Sequence, residues 1–422
     1  MGLNELLGRW AVRRAHVLVI EVPGAAGVRM AVERGLTARS WVQATSPAEA
    51  DVLAVCGSAG PRMSVVIAAV WDQMPGPRTR VDVVGSAGVP AALNAAAVAL
   101  LDSDAQRSDA TSRLGSWTDT DDERDAGDEN DDDHQRDESN GNDGNDGNDG
   151  EASHGDMDIG EDHGHMDMGE DHGDMAMDMP MPGGIGLAEG GQDRDGLEMD
   201  VLHVPLGPVL PHWPPGLVLT CTLQGDVVVQ ATAEIVDPVA GRGLPVTGDA
   251  RRDVLVDRCD DVARLLAVAG WGSAAAQARQ LRDDALDGVA LPVCAAGVAR
   301  LTRRVTRSRV LGWSLRGLCT ATRAPGQDSS AAGSDVLAVE LPDRLRGWLE
   351  EAAAAAAAPT GSLAGVGLTD VAFTDAIPPV ALPQLVTGLD LAAVRLIVAG
   401  TGVVADLTAS AAGARARWRR TW

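Results

Sequence analysis

The sequence has no lysine and no tyrosine among its 422 residues, a single phenylalanine, Phe373, and five cysteines of which no two form a CxxC pair. Without lysine there is no Schiff-base chemistry and no phosphate-gripping Walker lysine, and without tyrosine no phenolic acid. An odd number of widely spaced thiols (Cys56, Cys221, Cys259, Cys294, Cys319) disfavours both a disulfide framework and a zinc ribbon, so reduced, partly buried thiols are expected. Long apolar runs are also missing. The closest, LDLAAVRLIVAGTGVVADL, carries Asp390, Arg395 and Asp406 and falls short of the roughly 18 uncharged residues a membrane helix needs. The opening MGLNELLGRWAVRRAHVLVIEV lacks the charge, apolar and small-residue order of a secretory signal. These absences predict a soluble, cytoplasmic protein with no transmembrane segment.

What is present is 45% apolar and long enough for two folded units and a linker. The net charge of −26 is concentrated: Asp102 to Met181 holds 28 of the 61 acids but 4 of the 35 arginines. The remainder is close to neutral, and a field of this sign repels phosphates, so nucleic acid is not an expected partner.

Three parts follow. Residues 1–101 predict an α/β domain with a parallel, flavodoxin-like sheet. HVLVIEV (16–22), ADVLAVCG (50–57) and RVDVVGSAG (80–88) read as buried strands, and GVRMAVERG (27–35) and PRMSVVIAAVWDQMPG (61–76) as the helices between them. Residues 102–182 have high charge, almost no large apolar side chains and three NDG repeats, which predicts a long disordered acidic linker. Residues 183–422 predict an α+β domain. LVLTCTLQGDVVVQATAEIV (217–236) is a β-hairpin turning at Gln224-Gly225-Asp226, followed by helices over 252–270, 273–286, 296–318, 341–358 and 382–400.

The stretch ADVLAVCGSAGPRMSVVIAAVWDQMPGPRTRVDVVGSAG, with its DQMPGP turn at Asp72–Pro77, resembles the 20 kDa iron–sulfur subunit of respiratory complex I and the small subunit of nickel–iron hydrogenases. The stretch LGPVLPHWPPGLVLTCTLQGDVVV (206–229) and its helical sequel resemble the 49 kDa subunit of complex I and the hydrogenase large subunit. The resemblance implies a fusion of two subunits that are separate in that family.

It also implies a loss of chemistry. The family's small subunit holds a tetranuclear cluster through thiolates, and such iron needs sulfur ligands. At the matching positions this chain reads Ala25, Val28 and Ala87, while Cys56 sits where the family has no ligand. The nickel–iron centre requires CxxC pairs that are absent. Of the tyrosine and loop histidine of the quinone site, His212 alone has a counterpart, and a lone histidine in a proline-rich loop is more often a structural polar residue. The expectation is therefore a cluster-free, catalytically degenerate protein without catalytic residues. It would serve as an accessory or structural subunit of a complex I-like or hydrogenase-like assembly, peripheral on the inner membrane face.

A second expectation comes from GEDHGHMDMGEDHGDMAMDMPM (160–181) and its approach. His154, His163, His165 and His172, with Met166, Met168, Met175, Met177 and Met179, crowd a segment rich in carboxylates. Imidazole suits nickel and copper, and thioether selects copper(I), so the tract reads as a nickel or copper store. It reads more readily as an acidic spacer grown by repeat expansion, and the sequence leaves both open.

Overall fold

The computed structural model describes residues 12–113, 189–192, 198–239, 241–323, 336–359, 376–377 and 379–403. In the N-terminal half, β1 (His16–Glu21), β2 (Val42–Gln43), β3 (Val52–Cys56) and β4 (Thr79–Val83) form an all-parallel sheet in the order β2-β1-β3-β4. Helices α1 (Ala26–Arg39) and α2 (Pro61–Gln73) make the crossovers, and α3 (Val89–Leu101) follows β4; together they cover its faces. All five residues of β3 are buried, which is why VLAVC is an unbroken apolar run rather than an alternating one. The parallel sheet with helices expected from sequence is thus present, with the two-residue edge strand β2 added.

The stretch read as linker from Asp102 onward begins as a helix, α4 (Ser103–Arg113). It is held to the domain through Arg78. The Gln106 carboxamide accepts from the Arg78 amide (2.9 Å) and donates to the Arg78 and Ala99 carbonyls (3.0 Å each), and Asp109 pairs with the Arg78 guanidinium (3.1 Å). That guanidinium also lies 4.1 Å from the centre of the Trp71 ring and donates to the Met74 carbonyl. One buried arginine therefore ties the DQMPGP turn to α4.

The C-terminal half opens with an antiparallel sheet in the order β5-β6-β7-β8, comprising β5 (Glu189–Gln192), β6 (Glu198–Leu206), β7 (Leu217–Gln224) and β8 (Val227–Ile235). The β7–β8 hairpin turns at Gly225, whose φ is +60°. A helical body follows: α5 (Ala250–Val268), α6 (Gly272–Leu286), α7 (Leu291–Thr306), α8 (Arg309–Ser314) and α9 (Leu341–Ala357). Short α10 (Leu382–Val386) and α11 (Leu391–Gly400) complete it. A hairpin of β9 (Cys319–Arg323) and β10 (Val336–Glu340) separates α8 from α9, and β11 (Ala376–Ile377) pairs in parallel with β12 (Gly402–Val403). α5 is the central helix, with twelve buried residues. Two helices expected as continuous are split. Ser308 caps α8 through the Leu311 amide, and Asp390 caps α11 through the Ala393 amide just after Gly388 at φ +86°.

The described residues on both sides of the acidic segment belong to one compact unit. Its cores are shared. Ala26 and Met30 of α1 sit in the cluster built by α5, α6 and the β7–β8 hairpin, while Val218 and Val236 sit in the cluster under α2 with Ile20, Met63 and Ile67. No single described helix is long and apolar enough to cross a membrane.

Candidate functional site at the junction of the two halves

Where the halves meet, apolar packing gives way to charge. Glu21 closes β1, and α1 places Arg29 and Glu33 one turn apart on the face toward α5. From the other side come Asp257, Arg258, Asp260, Asp261 and Arg264 of α5, Arg282 and Asp283 of α6, and Arg242 from the loop after β8. Asp260, 1% exposed, is the hub. Its two oxygens accept from Arg29 Nη2 at 2.9 and 2.7 Å, and it also accepts from Arg282 (2.9 Å), Arg264 (3.2 Å) and Arg242 (3.3 Å). Glu33 accepts from Arg29 (2.6 Å) and Arg282 (2.7 Å), and Glu21 from Arg29 (2.6 Å) and Arg264 (3.0 Å). Arg242 further pairs with Asp257 and with Asp261 (3.0 Å).

Burial alone would push these carboxyls up. For Asp260 the arginines Arg29, Arg264, Arg282 and Arg242 outweigh burial and hold it well below the usual range. For Glu33 burial is overcome by Arg29 and Arg282, leaving it at about 2. Arg29, Arg242 and Arg282 are in turn held above their ordinary values, their desolvation being exceeded by the carboxylates around them. Two members go the other way. Burial lifts Asp257 to about 6 despite Arg242 and Arg258, because Asp261 and Asp260 lie beside it. Burial likewise lifts Asp283 to about 6 against Arg282.

Both N-terminal helices that point at this junction lack a side-chain cap of their own and take one from the other half. The Ala26 and Gly27 amides at the start of α1 donate to the carbonyls of Arg242 (3.0 Å) and Gly243 (2.9 Å). The Met63 amide of α2 donates to the Asp237 carboxylate (2.8 Å). The approach is close: a side chain at Gly243, whose φ is +63°, would meet the Gly24 carbonyl at 1.7 Å, and one at Gly60 would meet the Asp237 carboxylate at 2.5 Å.

Beside the network lies a cavity of about 70 Å³ lined by Glu21, Gly24, His212, Arg242, Asp261 and Arg264, and on the other side of His212 a second of about 40 Å³ reaches Arg29 and Glu33. These spaces hold a handful of waters or a small polar ligand. His212 stands between them at φ +60°, a left-handed backbone costing about 1–3 kcal/mol for a residue other than glycine. Burial, with Arg279 next, lowers its pKa to about 4, so the ring is neutral at pH 7. The following indole fixes the loop, Trp213 Nε1 donating to the Leu217 carbonyl at 2.7 Å.

Of the positions the family resemblance singles out, Ala25 is the buried N-cap of α1, Val28 lies half-buried in its first turn and Ala87 is exposed in the short turn Ser86–Gly88. They offer no thiolate, and the amides of the first loop are already taken by the second half, so these residues do not fit a cluster. Cys56 is buried at the end of β3, its thiol pushed up by burial and then by Glu21. Cys259 is raised by burial to about 12 and Cys221 to about 11, so neither is a ready nucleophile. The metal-ligand candidates His154, His163, His165, His172, Met166, Met168, Met175, Met177 and Met179 lie outside the described residues. Among the described residues no group of His, Cys, Asp and Glu is placed to hold a metal ion.

Sequence reading missed the network itself. Arg29 and Asp260 are 231 residues apart, and the one local signal was charge inside the otherwise apolar run VLVDRCDDVARLL of α5. Comparison of the chain with protein-family models, with curated proteins and with solved structures finds no match.

Proposed function

We propose that this chain is a cluster-free, catalytically degenerate counterpart of the paired small and large subunits of complex I and nickel–iron hydrogenases, acting as an accessory or structural subunit of a redox assembly. The observation that carries the reading is the loop after β1. Where the resemblance places cluster thiolates, the chain has Ala25 and Val28, and carbonyls of Arg242 and Gly243 occupy the helix amides. The contact between the halves is a buried ionic joint around Asp260. With raised thiols and a neutral His212, the junction holds shape and supplies no activated nucleophile.

The test is metal analysis and visible spectroscopy on tag-free protein after reconstitution with iron and sulfide under argon, beside a variant lacking residues 154–181. The reading expects no stoichiometric iron, no visible iron–sulfur absorption and no hydrogen or quinone turnover in either form. A brown protein with stoichiometric iron overturns it. Nickel or copper bound by the full chain and lost in the shortened one would instead favour a metal-handling role for the His- and Met-rich tract, whose composition is the observation behind that second reading.

A further inference from the structure

The chain's charge has a second asymmetry, opposite in sign to the first. From Gly288 to Gln327 there are seven arginines and no acid, in a protein of net charge −26. Six of them belong to α7, α8 and the turns beside them, and Arg300, Arg303, Arg304, Arg307, Arg309 and Arg316 are all exposed. Arg304 is engaged with Ser273 and Gln277 and lies over the Trp271 ring. The other five make no ion pair among the described residues. α8 adds what a merely solvated basic face lacks: Val310 and Trp313, three residues apart and therefore on one side of the helix, are 77% and 74% exposed. Val310 and Trp313 thus form a small exposed apolar tip on the helix that also carries Arg309, between Arg307 and Arg316 in sequence.

We propose that the α7–α8 face is a peripheral docking surface for an anionic lipid bilayer, with Trp313 and Val310 entering the interfacial region and Arg303, Arg307, Arg309 and Arg316 meeting headgroup phosphates. Charge complementarity limits the partner to something anionic, and the apolar tip selects among anions. Tryptophan is favoured at the membrane–water interface because its apolar ring and its N–H are both satisfied there. The chain's own acidic stretch from Asp119 to Gly155 contains no Val, Ile, Leu, Met, Phe or Trp. That stretch has counter-charge for the guanidinium groups and no large apolar side chain for Trp313 and Val310. Screening over about 8 Å at physiological salt lets a local basic patch act despite the overall negative charge. This inference does not depend on the role proposed for the junction.

The experiment is sedimentation of the full chain with phosphatidylcholine vesicles with and without phosphatidylserine, comparing wild type, the double variant Arg303→Ser/Arg307→Ser, and Trp313→Ala, each with a melting curve. All three sites are exposed, so the melting temperatures should coincide. The expected result is binding to the anionic vesicles alone. The arginine pair should cost about thirtyfold in apparent affinity, two charges at about 1 kcal/mol each, and Trp313→Ala several-fold more weakly bound protein. No binding to anionic vesicles, or binding that both variants leave intact, overturns the proposal. So does tighter binding to soluble polyglutamate that needs the arginines and ignores Trp313, which would make the face a docking place for acidic polypeptide.

Discussion

At the scale of single residues, the junction sets how stability responds to acid. Asp257 and Asp283 are raised by burial to about 6, so between about pH 4 and 6 each holds a proton in the fold that it has released in the unfolded chain. Their contribution grows as pH falls through that window. His212, lowered to about 4, opposes them, because the unfolded chain binds a proton there that the fold refuses. Two against one leaves a small balance in favour of the fold, and stability should rise by about 1 kcal/mol from pH 7 to pH 5. Below about pH 4 the sign reverses. Glu33, held at about 2, and Asp260, held lower than usual, stay ionised in the fold while the unfolded chain takes up protons. Urea denaturation at pH 7, 5 and 3 should show its highest midpoint near 5, and His212→Asn should enlarge the step between 7 and 5. A midpoint that is highest at pH 7 would mean that the two buried aspartates are ionised in the fold.

At the scale of elements, the exchange of helix caps between the halves is the feature that decides their geometry. α2 begins Gly60-Pro61 with no cap of its own, and Asp237, at φ +47° just after β8, reaches its Met63 amide. Replacing Asp237 by Ala should cost about 1 kcal/mol, the ordinary worth of an N-cap, and Asp237→Asn should restore most of it, both read from thermal melts. Equal loss in both variants would point to the carboxylate charge rather than the cap. The elements themselves were largely legible, because their signals are local: β-branched runs for β1, β3 and β4, the Gln224-Gly225-Asp226 turn for the β7–β8 hairpin, apolar periodicity for α5, α6 and α9. The breaks at Ser308 and at Gly388–Asp390 were also written in the sequence as a cap residue and a left-handed glycine, but the apolar pattern runs across them and masks both. α4 was unreadable, since its acidic composition resembles the segment that follows and its hold depends on Arg78, distant in sequence. For the same reason the charged site was invisible except at His212. Buried ion pairs are made by tertiary proximity, and composition and spacing carry no trace of which arginine will find which carboxylate.

At the scale of the whole molecule, the question is whether the covalent connection or the junction keeps the halves together. Each half completes the other's core: Ala26 and Met30 enter the helical cluster, and Val218 and Val236 enter the cluster beneath α2. Between these apolar patches lies the ionic joint, with Asp260 itself buried at its centre. Such a pair adds little over an apolar contact of equal size, but losing one partner strands the other charges without water, at about 3–5 kcal/mol. The joint therefore acts as a test of register, tolerating the intended docking and penalising others. Residues 1–113 and 188–422, co-expressed as separate chains, should consequently purify as a one-to-one complex. Asp260→Asn should weaken that complex by about two to three and a half orders of magnitude, at about 1.4 kcal/mol per tenfold. Arg62→Ala, which removes the half-exposed contact to Glu234 at 2.8 Å, should cost less than about fivefold. If the two chains elute apart, the acidic segment is what holds the molecule together, and the shared core and the Asp260 joint are consequences of tethering rather than causes of assembly.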